Sequence, residues 1–137
     1  MERTRGNHGR VTTLTIAETA ERSGLTAHTL RYYERDGLML TPIDRSATGH
    51  RRYTEHDLVW IDLITRLRST GMPIREIRRY AALVRVGAGN EAERLDLLQS
   101  HRRRVLAQLA DVTEHLGAID RKIGIYVERL ESVSVPA

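Results

Sequence analysis

The chain is 137 residues long, enough for one domain or one small domain plus an extension, and its 22 basic and 18 acidic side chains give a formal charge of +4. It has no cysteine, which excludes disulfides, thiolate metal sites and thiol redox sensing. No apolar run reaches the ~18 residues that a membrane helix needs, the N-terminus has no apolar signal core, and a soluble cytoplasmic protein is expected.

The positive excess lies in the first part of the chain. Residues 1–86 hold 15 Arg and 10 acidic residues, whereas residues 87–137 hold 7 basic and 8 acidic residues. Of the 22 basic residues 21 are Arg, and Lys122 is the exception. With no Phe and a single Trp, the core must come from Leu, Ile, Val and Ala, which suits a mainly α fold.

Residues 1–12 are polar and read as a disordered arm. Leu14 to Ile16 form a very short strand or lead directly into a helix. Thr15 and Glu18 fit a capping box, so a helix starts near Ile16, and Gly24 ends it. Thr26 caps a second helix that runs to Asp36 and stops at Gly37. Two short helices joined by Ser-Gly-Leu-Thr make a helix-turn-helix, with Ile16, Ala17, Ala20, Leu25 and Leu30 as its apolar positions.

Between residues 38 and 53, Pro42, Ser46 and Gly49 break helical periodicity while Arg45, Arg51 and Arg52 cluster, which predicts a basic two-stranded hairpin. Thr54 caps a helix from Glu55 to Ser69 with Leu58, Ile61, Leu63 or Ile64, and Leu67 facing inward. Gly71 ends it, and Pro73 sits where a first helical residue often does. A fourth helix follows to about Val84, closed by Gly87 and Gly89. A DNA-binding domain of the winged helix-turn-helix kind is thus expected over residues 13–86.

From Asn90 the pattern becomes regular. Leu95, Leu98, Arg102, Val105, Leu109, Val112, Leu116, Ile119, Ile123, Tyr126 and Leu130 recur at alternating spacings of three and four, a heptad seam. Residues 90–119 are expected to form a dimerisation helix, ~43 Å long over 91–119. A small domain cannot bury such a seam alone, so it needs a second subunit. Gly117 and Gly124 each weaken the helix by roughly 1 kcal/mol. A bend or break is therefore expected between Ile119 and Lys122, with residues 120–137 as a short terminal helix and tail.

Two segments, Thr29-Leu-Arg-Tyr-Tyr-Glu-Arg-Asp-Gly-Leu38 and Gly49-His-Arg-Arg-Tyr53, carry a family likeness. With Gly71 between the third and fourth helices and the long seam helix, the chain resembles the MerR family of bacterial transcription regulators over about residues 13–130. The resemblance implies a winged helix-turn-helix domain and an antiparallel coiled-coil homodimer. It also implies binding to double-stranded promoter DNA whose −35 and −10 elements lie too far apart, distorted so that RNA polymerase engages both. His28 stands where members often carry Arg or Lys. The effector domain and metal-binding cysteines that many members carry are not expected here.

Candidate contacts follow from residue type and position. Thr26, Ala27, His28 and Thr29 begin the second helix, where N-terminal residues meet base edges in the major groove, although Thr26 serves equally as a cap. Arg31 suits a phosphate or base edge, the alternative being an ion pair with Glu34. Tyr32 and Tyr33 point about 100° apart, so one packs inward while the other reaches the DNA backbone, and helical geometry allows either order. On the hairpin, Arg51 and Arg52 face opposite ways, one toward DNA and one toward an acid. Tyr53 is a phosphate contact or wing packing, and His50 is a wing-tip residue.

The six His show no metal-ligand spacing, so neither metal nor cofactor is expected, and His101 and His115 are read as solvated surface. Trp60, Tyr80 and Tyr126 either line an effector pocket where the terminal helix, from Arg121 to Leu130, meets the partner's DNA-binding domain or fill a junction core. No phosphate loop, nucleophile-base pair or carboxylate pair points to an enzyme. The expected function is a dimeric, sequence-specific transcription regulator. The alternatives are an architectural DNA-binding protein without an effector, and a small-molecule-sensing regulator.

Overall fold

A computed structural model describes residues 12–134; the arm expected at residues 1–12 lies, Thr12 apart, outside them. The described chain is mainly α-helical. In order it forms α1 (Ile16–Ser23), α2 (Ala27–Arg35), an antiparallel hairpin of β1 (Asp44–Arg45) and β2 (Arg51–Arg52), α3 (Glu55–Ser69), α4 (Ile74–Val86) and α5 (Glu91–Ser134). It divides into two compact units, residues 1–97 and 98–137. None of these helices is long and apolar enough to cross a membrane.

Local chemistry sets the helix ends. The Glu18 N–H donates to the Thr15 hydroxyl at 3.1 Å and the Thr15 N–H donates to the Glu18 carboxylate at 2.8 Å, closing the capping box that opens α1. The bond from the Thr15 backbone holds the Glu18 carboxyl below the ordinary carboxylate range. At Gly24 the φ of 76° is left-handed, a conformation that a Cβ would strain, and α1 stops there. Thr26 caps α2, and Thr54 caps α3 with Asp57 completing a second box. Pro73 occupies the cap position of α4, so that helix begins one residue later than expected.

The core of the first unit gathers Leu14, Leu30, Leu38, Ile43 and Ile77 around the buried face of α3, which supplies Trp60, Ile61, Ile64 and Leu67. Ile64, not Leu63, is thus the buried member of that pair, and Leu58 is half-buried. In α1 the buried position is Thr19, whereas Ala17 is exposed. Threonine is tolerated there because its hydroxyl donates to the Thr15 carbonyl at 2.8 Å, so its own polar atom is satisfied.

Long-range polar contacts tie α4 to the segment after α2. Arg85 donates to the carbonyls of Met39 at 2.6 Å and Gly37 at 3.2 Å, and Arg78 pairs with Asp36 at 3.1 Å. The Trp60 indole N–H donates to the Leu38 carbonyl at 2.6 Å, and its ring stacks on Tyr80 with centroids 5.8 Å apart.

The far end of α5 differs from expectation. The helix runs unbroken to Ser134, the last described residue, with no break between Ile119 and Lys122 and no separate terminal helix among the described residues. Each interior glycine costs about 1 kcal/mol. A break would forfeit the hydrogen bonds of a full turn and require a second, unfavourable nucleation, which costs more. In the second unit Leu109, Val112, Leu116, Ile119, Ile123, Tyr126 and Leu130 are each more than half exposed, as is Leu95 in the first. Leu98 and Val105 are half-buried, Arg102 is exposed, and His101, expected on the surface, is instead buried.

Candidate nucleic-acid interface

Helix α2 has two opposed faces. Leu30 and Tyr33 are each 1% exposed, while His28, Arg31 and Arg35 form an exposed stripe at i, i+3 and i+7 on the other side. Ala27 and Thr29 are half-buried beside that stripe. Thr26 is exposed but occupied as the cap, accepting from the Thr29 N–H at 3.0 Å. Arg31 forms no ion pair among the described residues, because the carboxylate that would compete for it, Glu34, is taken by the hairpin.

The two tyrosines of α2 divide their roles. Tyr33 points inward, its hydroxyl 3.2 Å from that of Thr65, so its candidacy as a DNA contact is withdrawn: burial leaves no surface to offer. Tyr32 is half-buried and keeps an accessible edge. Arg68 of α3 sets its guanidinium 5.4 Å from the centre of the Tyr32 ring and 5.6 Å from that of Tyr33. His28, Thr29, Tyr32 and Arg68 together line a shallow depression on this face. Sequence reasoning missed Arg68, and no local signal marks it, since only the packing of α3 on α2 brings it to the tyrosines.

The hairpin is the second part of the face. His50 lies exposed near its tip with Nδ1 2.8 Å from the Thr48 hydroxyl. Arg51 is the member that pairs with an acid: its Nε donates to Glu34 at 2.6 Å. Arg52 forms no ion pair among the described residues; Asp44 is its cross-strand neighbour, and the Arg52 charge, after the bonds from Thr15, helps to hold the Glu18 carboxyl low. Tyr53 is not a DNA contact either. Its backbone pairs with Leu14 at 2.7 and 2.9 Å, its side chain is 1% exposed, and its hydroxyl is buried without a hydrogen-bond partner among the described residues. Burial pushes the Tyr53 phenol up from its ordinary value.

The three aromatic pocket candidates lie on different elements. Trp60 and Tyr80 stack within the first unit, where Trp60 is buried, while Tyr126 lies on α5 in the second unit beside Lys122 and Arg129.

The chain has counterparts among known proteins. A family model described as "MerR HTH family regulatory protein" matches residues 14–83, and a second, "MerR, DNA binding", matches residues 58–122. An uncharacterized HTH-type transcriptional regulator of Haemophilus influenzae is 35% identical over 125 residues, covering 91% of this chain and 92% of that protein. The chain belongs to the MerR family. Like its relatives in that family it is a DNA-binding transcription regulator and not an enzyme.

Solved MerR structures share its fold. A putative MerR family regulator from Listeria monocytogenes superposes with a TM-score of 0.80 at 36% identity, covering 88% of this chain and 90% of that one. HiNmlR, a MerR family regulator lacking the sensor domain and bound to promoter DNA, superposes with a TM-score of 0.76 at 35% identity, covering 85% and 92%.

Proposed function

We propose that two copies of this chain join along the seam of α5 and bind an inverted repeat in double-stranded promoter DNA. The observation that carries the reading is the row of apolar side chains on α5, from Leu109 to Leu130, exposed at heptad spacing. Continuous apolar surface on this scale is rarely left to solvent, and a second copy offers an equivalent stripe. An antiparallel pairing of the two helices would seat one DNA-binding unit at each end of the repeat.

On that reading α2 enters the major groove. His28 and Arg31 meet base edges or flanking phosphates, and Arg52 meets the backbone from the hairpin. The pair distorts an over-long spacer so that RNA polymerase reaches both promoter elements, with sequence between the half-sites read through its deformability. HiNmlR, a relative of similar fold, is bound to promoter DNA, which supports the promoter-binding part of this reading.

Sedimentation equilibrium at micromolar concentration is expected to return twice the mass of one chain. A gel assay with the site placed at different positions along a fragment is expected to show position-dependent mobility. Mobility independent of position would overturn the distortion, and a monomer that binds DNA with undiminished affinity would overturn the dimer.

A further inference from the structure

Glu34 carries a negative charge on the helix expected to face phosphates, where a carboxylate opposes DNA approach. Its surroundings give it another use. Arg45 and Arg51 are direct cross-strand partners in the hairpin register. Two like charges placed opposite each other on one face of a strand pair destabilise it. Glu34 bridges them: Arg51 Nε donates to Oε1 at 2.6 Å, and an Arg45 guanidinium nitrogen lies 3.6 Å from Oε2. Arg45 Nη1 donates to the Gly49 carbonyl at 3.2 Å, bracing the hairpin tip.

The tip of the hairpin is closed by its own bonds, the Ser46 N–H donating to the His50 carbonyl at 2.8 Å and the Gly49 N–H to the Ser46 carbonyl at 2.9 Å, and these do not tie it to α2. Its strands are two residues each, none of the four side chains is buried, and an isolated two-stranded hairpin is marginal in water. The Leu14–Tyr53 bridge anchors only its base. Arg52, one position from Arg51, points to the opposite face of the strand and pairs in register with Asp44.

We propose that Glu34 is a positioning residue for DNA binding: by holding Arg45 and Arg51 together it fixes the hairpin against α2 and leaves Arg52 aimed at the DNA. The proposal rests on the DNA-binding reading of this face. The Glu34 and Arg51 side chains are each 21% exposed, so the contact is less screened by solvent than a fully exposed surface pair.

The test uses a 30-bp duplex, on the order of three helical turns, recovered by in vitro selection with the unsubstituted protein. Dissociation constants are measured over a range of KCl concentrations for the unsubstituted protein, Glu34→Gln, Arg51→Gln and the double variant, with thermal unfolding beside each. Glu34→Gln is expected to weaken binding about tenfold. It is also expected to lower the slope of log K against log salt by about one, as a hairpin phosphate contact is lost. The double variant is expected to bind no worse than the weaker single variant, since both remove one contact. Tighter binding by Glu34→Gln would mean that the carboxylate merely repels DNA, and additive losses would mean that the two residues act independently; either overturns the proposal. Should Glu34→Gln lower the melting temperature markedly, Glu34→Asp keeps the charge but shortens the reach by one methylene, and a partial loss of affinity is then expected; unsubstituted affinity in that variant would mean that charge and not positioning matters, which overturns the proposal. Failure of the selection to enrich any duplex would overturn the DNA-binding reading together with the proposal.

Discussion

At the scale of single residues, the face is organised by which arginines are already engaged. Arg51 and Arg45 are spent on Glu34, while Arg31 is exposed without an ion pair among the described residues. Replacing Arg31 by Ala is therefore expected to weaken DNA binding by ~1–3 kcal/mol while leaving the melting temperature within about a degree. Filter binding and a thermal melt on the same preparation check both halves. Tyr53 gives the converse case, a residue that matters to the fold alone. Its hydroxyl is buried with no partner among the described residues, so Tyr53→Phe is expected to stabilise the protein by about 1 kcal/mol or to be neutral. The phenol is pushed up by burial, so the fold favours its neutral form. That contribution is whole below the ordinary tyrosine value and is lost as the pH rises through the higher folded value. Denaturant titrations at neutral and strongly alkaline pH should show a smaller alkaline loss in the Phe variant than in the unsubstituted protein.

At the scale of elements, the sequence announces helix ends well and long-range partners poorly. Thr15, Thr26 and Thr54 cap their helices because capping bonds join residues three apart, within reach of local reading. The hairpin was legible from Pro42, Gly49 and the clustered arginines, but not the choice between Arg51 and Arg52. That choice depends on Glu34, seventeen residues away on another element. The inward turn of Tyr33 was open for the same reason, since Thr65 sits on α3. The capping box of α1 has a pH signature. The Glu18 carboxyl is held low by the bond from the Thr15 backbone, so its stabilising effect is present above the unfolded carboxylate value and fades as the pH falls through the lower folded one. Glu18→Gln should lose less stability than the parent between pH 5 and 3. The glycines of α5 were misread because propensity counts their cost and not the cost of stopping. Nothing lies within 4 Å of a Cβ placed on Gly124, so Gly124→Ala is expected to stabilise the helix by up to about 1 kcal/mol in a thermal melt. A fall in melting temperature at dimer-forming concentrations would show instead that another backbone approaches there.

At the scale of the whole molecule, the seam is the feature that a lone chain leaves unfinished. Its heptad spacing was legible throughout, from Leu95 to Leu130, because it repeats within one element and needs no tertiary information. Leu109 and Leu116 are each more than half exposed. Introducing lysine at both positions is expected to convert the dimer to a monomer in sedimentation and to reduce affinity for a two-half-site duplex at least tenfold, while affinity for a single half-site stays within about twofold. A dimer that persists in the double variant would place the contact elsewhere.

The cations that α2 and the hairpin offer, His28 and His50 aside, are all guanidinium groups, since the sole lysine of the chain is Lys122 on α5. Enzymes that silence regulators by capping amines with acyl groups find no target on this face. Its attraction for a polyanion therefore rests on guanidinium charge, which salt and competing anions screen and amine acylation leaves untouched.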